Sequence, residues 1–403
     1  MWHQIRFNRN RSIALAIGMG VLLLLVGYLL GLAFAGDGVA GLIIALVVWA
    51  IMNLVAYFQG DSILLGMSKA RKIKKEDHPR LHNVVEEMKI ASGLGYMPDI
   101  YIIDDPAMNA FATGRDAKKA SVAVTSGLLQ SLNRDELQGV IGHELSHIKN
   151  RDVLLMALCS VLLGTIVILS WYGSRFMLFG GMGRSRRSSS SGGAAQLIII
   201  AVAVILVILA PIFAQLIYFA VSRKREYLAD ACSALYTRYP EGLAAALEKI
   251  GGSTQQLKSA NKATAPMYII NPFRKQGMAA NDLSSTHPPI SERIRILRSM
   301  FGASYSDYNK AYQQVHKSKG GLIPPSEAAT IGMVALRASG AETKQVEPVQ
   351  EQIERTRETS NALWNANNYR TIDCECGVRL RIPSGFKDHE VKCPHCGRVH
   401  SVS

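Results

Sequence analysis

"VIGHELSHIKNRD" (residues 140–152) sets two histidines four residues apart, with a glutamate beside the first, and from Val153 to Trp171 the chain behind it is apolar. On a helix, residues four apart share a face, so His143 and His147 can both reach one metal ion. Glu144 stands where it can take a proton from a water activated by that metal, and the pattern suits peptide-bond hydrolysis. Such chemistry needs water. The nature of the apolar run behind it therefore decides the fold.

The chain of 403 residues is long enough for more than one folded unit. Its net charge of +14 suits nucleic acid and an anionic membrane surface equally. The apolar residues favour the membrane. Nearly half the chain is hydrophobic, mean hydropathy is +0.12, and four runs stand out: Ile13 to Ala35, Val39 to Phe58, Val153 to Trp171 and Gln196 to Val221. Each can cross a hydrocarbon core of roughly 30 Å as a helix. Ala33-Phe34-Ala35 mimics a signal-peptide cleavage site, but that run is too long for a signal and another follows at once, so a retained span is expected. Arg6, Arg9 and Arg11 precede the first run and Lys69, Arg71, Lys72, Lys74 and Lys75 follow the second, which puts both flanks, and residues 60–152, in the cytoplasm. Arg175, Arg184, Arg186 and Arg187, between the third and fourth runs, run against this rule. Either the bias is overridden there, or those two runs dip into the membrane without crossing it.

Between the runs, a helix is expected from Asp77 to Ser92, then short strands in "MPDIYIIDD", "MNAFATGRD" and "ASVAVTSGLL". Asn133 and Glu136 form a capping-box pattern at the start of the helix that carries the opening motif, and that helix could continue unbroken into the third run. "GRSRRSSSSGGAA" (183–195) reads as a flexible loop. Residues 318–365 show no strong period and read as a linker or loosely packed helix. His78 and His82, also four apart but with no glutamate beside the first, read as solvated surface.

A catalytic zinc wants a third protein ligand and an open position. Glu226 in "REYLAD" is the best candidate, with Asp230 one helical turn on as an orienting group; the alternative is an exposed charged face beside Arg223, Lys224 and Arg225. If Glu226 shares the ion with His143 and His147, the third and fourth runs form an antiparallel hairpin and the metal lies at its cytoplasmic mouth.

"HELSHIKNRD", then "SRKREYLADA" after a hydrophobic hairpin, then "STHPPISERIRIL" resemble, in order and spacing, the HtpX family of membrane-bound zinc metalloproteases, gluzincins related to the CAAX prenyl proteases; the likeness covers about residues 1–300. The resemblance implies His143, His147 and Glu226 as zinc ligands and Glu144 as catalytic base. It implies that "NAFATG" (109–114) is an edge strand where Asn109, Ala110 and the backbone beyond pair with an extended substrate, as β-augmentation allows. Asn109 read without it could equally be a turn residue. His287 in "THPP" would stabilise the oxyanion, bind zinc in a resting state, or be structural; Arg293 would pair with Asp230 or assist at the oxyanion. Substrates would be misfolded or damaged membrane proteins.

Of six cysteines, Cys159 and Cys232 read as packing residues, while Cys374, Cys376, Cys393 and Cys396 resemble a zinc ribbon with one short spacer, His395 or His400 being possible substitutes. A cytoplasmic location argues against disulfides. The expected fold is a mainly α integral membrane protein: a transmembrane hairpin (1–60), a gluzincin metalloprotease domain (61–317) with a small β-sheet beside the active-site helix and a second hydrophobic hairpin (153–171, 196–221), a linker (318–365), and a small zinc ribbon (366–403). Its expected cofactors are one catalytic and one structural zinc. Expected partners are membrane lipids, unfolded or membrane-protein polypeptides, and a protein recruited through the ribbon, with nucleic acid not expected; the expected place is the inner (plasma) membrane, multi-pass, with the site facing the cytoplasm. A non-catalytic scaffold holding structural zinc is the alternative from another class, and the intact H-E-x-x-H argues against it, since structure alone does not need Glu144. A prenyl-peptide protease is the nearer alternative, though four runs look too few for its membrane chamber.

Overall fold

The computed structural model describes residues 2–180, 193–258, 268–270, 287–318, 320–323, 334–337 and 348–402; most of the 183–195 loop lies outside them. Four long helices come from the four apolar runs: α1 (Trp2–Ala35), α2 (Gly38–Met67), α6 (Asp152–Gly180) and α7 (Gly193–Thr237). They pack on one another around Met19, Leu23, Val26, Cys159, Ile166, Ala210, Ala214 and Tyr218. Between α1 and α2 the backbones touch: a Cβ on Gly31 would lie 2.7 Å from the Cα of Gly41, so only small residues permit this crossing. The outward faces are apolar, with Ile43, Ile44, Val47, Ile51, Leu54, Ile205, Ile208, Ile212 and Phe213 all exposed, a surface that water does not favour. Among the described residues one helix segment, Gly38–Val55, is long and apolar enough to cross a membrane; Ile17–Leu32 and Val161–Tyr172 are shorter apolar segments.

A second core lies beside this bundle. The strands β1 (Arg71–Lys72), β2 (Asp99–Ile103), β3 (Ala110–Thr113) and β4 (Ser121–Thr125) form one layer, and the helix α3 (Pro79–Ser92) packs among the helices of the other. The sheet order is β1-β2-β4-β3, with β2 and β4 parallel and β3 antiparallel at the edge. The second layer is helical: α4 (Ser126–Ser131), α5 (Arg134–Lys149), the lower part of α7, α8 (Pro240–Gly252), α9 (Ile290–Arg298) and α10 (Tyr305–His316). The capping box at Asn133 and Glu136 forms in both directions, at 2.9 Å each way, and fixes where α5 begins.

Three expectations need correction. The catalytic helix does not run unbroken into the third apolar run. Asn150 caps α5, Arg151 takes a left-handed conformation (φ 57°), and α6 starts afresh at Asp152. The stretch 318–365, read as a linker or loosely packed helix, ends in an 18-residue helix, α11 (Val349–Ala366), that is not loose but docked on α4: Arg355 Nε donates to the Gln130 carbonyl at 2.8 Å. Polar side chains carry part of that docking. For the same reason His78 is not solvated but fully buried: Nδ1 caps α3 by accepting from the Leu81 N–H (3.2 Å), and Nε2 faces Thr359 Oγ1 of α11 (3.3 Å). His82 is partly exposed near Glu86.

After α11 the strands β5 (Arg370–Asp373), β6 (Arg379–Ile382), β7 (Glu390–Lys392) and β8 (Val399–Ser401) form two hairpins, and Arg381 stacks its guanidinium over Trp364.

His78 makes α11 docking sensitive to acid. Burial pushes its pKa below 6.5; Glu358 pulls it back up and Arg80 lowers it further. The unfolded chain therefore binds a proton that the folded one refuses, and the stabilisation present above pH 6.5 is lost as pH falls through the lowered value. Amide exchange in Val349–Ala366, corrected for its intrinsic rate, should quicken between about pH 7.5 and about pH 5.5. In His78→Asn, which can still cap the helix, that change should vanish.

Candidate active site

The site is made where α5 meets α7, and their contact is close. Ser233 Oγ donates to the Gly139 carbonyl at 2.7 Å, and a Cβ on Gly139 would lie 2.6 Å from the Leu243 nitrogen, so a larger residue would prise α5 from α8. This approach brings Glu226 from α7 against both histidines of α5. His143 Nε2 lies 3.2 Å from His147 Nε2, and each lies 3.5 Å from a Glu226 oxygen. A tetrahedral zinc with bonds of ~2.0–2.1 Å has donor–donor edges of roughly 3.3–3.4 Å, so the triangle has the size the ion requires. All three residues are buried or nearly so, which suits ligands and not an exposed charged face.

The outer nitrogens of the two imidazoles are held as well. His143 Nδ1 is 2.9 Å from Asp230 Oδ1, and His147 Nδ1 is 3.0 Å from Asp152 Oδ2. A carboxylate on Nδ1 keeps the proton there and leaves the Nε2 lone pair for a metal. Arg293, fully buried, donates to both oxygens of Asp230 (Nε 2.8 Å, Nη2 2.7 Å) and approaches Glu226 at 3.5 Å. Arg225 of α7 pairs with Asp152, so the bases of α6 and α7 are tied by the same carboxylate that orients His147. Asp152 and Arg225 do not stand out in the sequence as site residues. Their only signals are position: Asp152 ends the opening motif, and Arg225 precedes Glu226.

Electrostatics follow from burial. Burial opposes ionisation of Glu226, but His287 and His143 outweigh it and hold its carboxyl well below the usual carboxylate range. Burial also disfavours charge on His143, yet the Asp230 and Glu226 carboxylates push it up to about 9, while burial and its charged neighbour drive His147 down to about 4. Burial raises the pKa of Glu144, against the pull of both histidines and of the Ala112 N–H on edge strand β3 beside its carboxylate.

The other expected site residues converge here, though not on open space. His287 is buried near Glu226, with the Tyr268 carbonyl beside it. Asn109 is buried, its amide nitrogen donating to the Ile270 carbonyl at 3.1 Å, and the Ala110 carbonyl accepts from the Ile269 N–H at 3.0 Å. The strand edge expected to meet a substrate thus meets residues 268–270 of the chain itself. In the tail, Cys374, Cys376, Cys393 and Cys396 gather within 4.8 Å, with Sγ–Sγ separations of 3.5 and 3.6 Å, and all are free thiols. Zinc–sulfur bonds of ~2.3 Å imply edges of roughly 3.8 Å, so this cluster also fits a tetrahedral ion. Backbone N–H groups of Cys396 and His395 pull the Cys393 thiol down to about 6.

Residues 75–301 match the model of peptidase family M48. The chain is 45% identical over 299 residues to the protease HtpX homolog of Dictyoglomus thermophilum, covering 74% of this chain and 94% of that protein. It is 47% identical over 263 residues to that of Dictyoglomus turgidum (65% and 83%), and 39% identical over 300 residues to that of Streptococcus uberis (74% and 100%). Among solved structures, S. mikatae Ste24p is 20% identical with a TM-score of 0.41, covering 74% of this chain and 67% of that one, a likeness too slight to carry an argument.

Asp152→Asn keeps the shape of the carboxylate but loses its charge and an acceptor. It should weaken zinc binding by about 10- to 100-fold, the usual effect of losing a carboxylate behind a metal-binding histidine. Titration against a chromogenic chelator, with helicity checked by circular dichroism, measures this directly.

Proposed function

Because the chain belongs to peptidase family M48 and is a membrane-associated zinc metalloprotease, we propose that it cleaves misfolded or damaged membrane proteins at the cytoplasmic face of the inner (plasma) membrane. The observation that carries this reading is the triangle of His143, His147 and Glu226 at the base of the α6–α7 hairpin, where a polypeptide leaving the bilayer would arrive. In this reading α1, α2, α6 and α7 each cross the membrane. The arginines in the first turns of α1 and the basic run after α2 favour the cytoplasmic side, and the exposed apolar faces of the bundle supply the lipid-facing surface.

His143, His147 and Glu226 hold the catalytic zinc, with Asp230, Arg293 and Asp152 keeping the two rings in position. The ion, when bound, polarises a carbonyl and acidifies water. Glu144 takes the proton of the attacking water and passes it to the leaving amine; a raised pKa suits a group that must both accept and return it. His287 donates to the carbonyl oxygen as negative charge develops there. Asn109, just before β3, and Ala110 at its start align the substrate backbone. The four tail cysteines hold a second, structural zinc, and the small domain they close recruits a partner protein.

Glu144→Gln preserves size and polarity but cannot accept the proton. In zinc-loaded full-length protein it should cut cleavage of an unfolded model protein by on the order of 10³-fold, with zinc content unchanged. Equal cleavage by both forms would remove Glu144 as the base, and inert wild-type protein would remove the protease reading. A cysteine placed at Ser189 should react with an impermeant thiol reagent from the outer side only. Labelling confined to the cytoplasmic side would overturn the four-crossing arrangement.

A further inference from the structure

Tyr268, Ile269 and Ile270 make a set of contacts that a purely structural loop does not need. Their three successive carbonyls each lie against a different residue of the proposed site. His287 lies beside that of Tyr268, while Arg293 Nη1 donates to that of Ile269 at 3.1 Å and Asn109 to that of Ile270 at 3.1 Å. The Ile269 N–H donates to the Ala110 carbonyl on the free edge of β3 at 3.0 Å. Backbone pairing to a sheet edge, with alternate side chains buried, is how an extended peptide is bound by β-augmentation. The Tyr268 hydroxyl is 3.2 Å from Ser68 Oγ at the end of α2, which anchors the segment at one side. All three residues are buried.

We propose that Tyr268–Ile270 occupies the peptide groove as a resident pseudosubstrate, and that a substrate which displaces it carries a branched aliphatic side chain where Ile269 lies. The idea rests on the protease reading and gives that site its substrate class. His287, which would steady charge on the carbonyl under attack, lies beside the Tyr268 carbonyl. A substrate in the same register therefore places its own bond between the residues corresponding to Tyr268 and Ile269. The side chain following that bond enters the space of Ile269, which is 1% exposed and belongs to the same apolar core as Ala110, Ala112, Ile296 and Leu297. A charged side chain there would be buried without a partner and is disfavoured. Occupancy by the chain's own segment lowers apparent affinity by the fraction of molecules in which the groove is free. Weakening the segment must therefore tighten substrate binding.

The decisive measurement avoids turnover. A fluorescent peptide copying residues 267–271 (Met-Tyr-Ile-Ile-Asn) is titrated by anisotropy into zinc-loaded, full-length Glu144→Gln protein, with and without Ile269→Gly. The second substitution should tighten binding about 3- to 10-fold, as expected if the groove is free in roughly a tenth to a third of the molecules. Tyr268→Phe removes the anchor to Ser68 without touching the groove, and should shift affinity the same way by a smaller factor, which serves if Ile269→Gly fails to fold. The peptide carrying Ile269→Asp should bind at least about tenfold more weakly. In cleaving protein, Ile269→Gly should lower KM with little change in kcat. Unchanged or weaker binding in both segment variants, or equal binding of the two peptides, overturns the proposal. Loss of the Glu144 effect on cleavage would instead overturn the protease reading and leave these binding outcomes to be judged separately.

Discussion

The buried ion pair of Arg293 and Asp230 is the contact on which the site depends. An ion removed from water costs several kcal/mol unless it is paired and its remaining hydrogen-bonding groups are met. Asp230 meets that condition with two bonds from Arg293 and one contact to His143, and Arg293 meets it with Asp230 and the Ile269 carbonyl. Each partner is completely buried. The pair therefore ties α7 to α9, fixes the tautomer of His143, and holds residue 269 against the edge strand. A metal ion fits into this arrangement as one more positive centre among Glu226, Glu144 and Asp230.

Asp152 and Arg225 play the corresponding part at the foot of the helix bundle. The break at Arg151 turns α6 back so that its first residue reaches His147, and Arg225 joins it from α7. The apolar bundle and the hydrolytic centre are thus joined by charge and not only by covalent continuity. Any tilt of α6 against α7 is felt at a zinc-binding ring. This gives a physical reason for placing water-dependent chemistry at the mouth of an apolar hairpin.

Much of this was legible in the sequence because it is local. The spacing of His143 and His147, the capping box at Asn133, the four apolar runs and the cysteine pairs all express periodicities or turn chemistry within a few residues. Glu226 and Asp230 were legible as one face of one helix, though only the approach of α5 to α7 sets Glu226 3.5 Å from each histidine. The burial of His78 is not legible in the sequence, because a histidine at a helix start looks the same whether water or Thr359 stands beside it. The docking of α11 is hard to read for a related reason: Arg355, Thr359 and Glu358 share it with Ala362, Leu363 and Ala366.

The sequence by itself determined the reaction class, the residues able to carry it, and the apolar character of the helices behind it. These depend on side-chain chemistry at short spacing. Only the tertiary structure decided which carboxylate serves which histidine, that the catalytic helix ends before the hairpin begins, and that the strand edge beside Glu144 is already in contact with Tyr268–Ile270. Those are contacts between residues up to 161 positions apart. They are selected by the need to satisfy buried charges and backbone groups simultaneously, a requirement that exists only once the elements are packed.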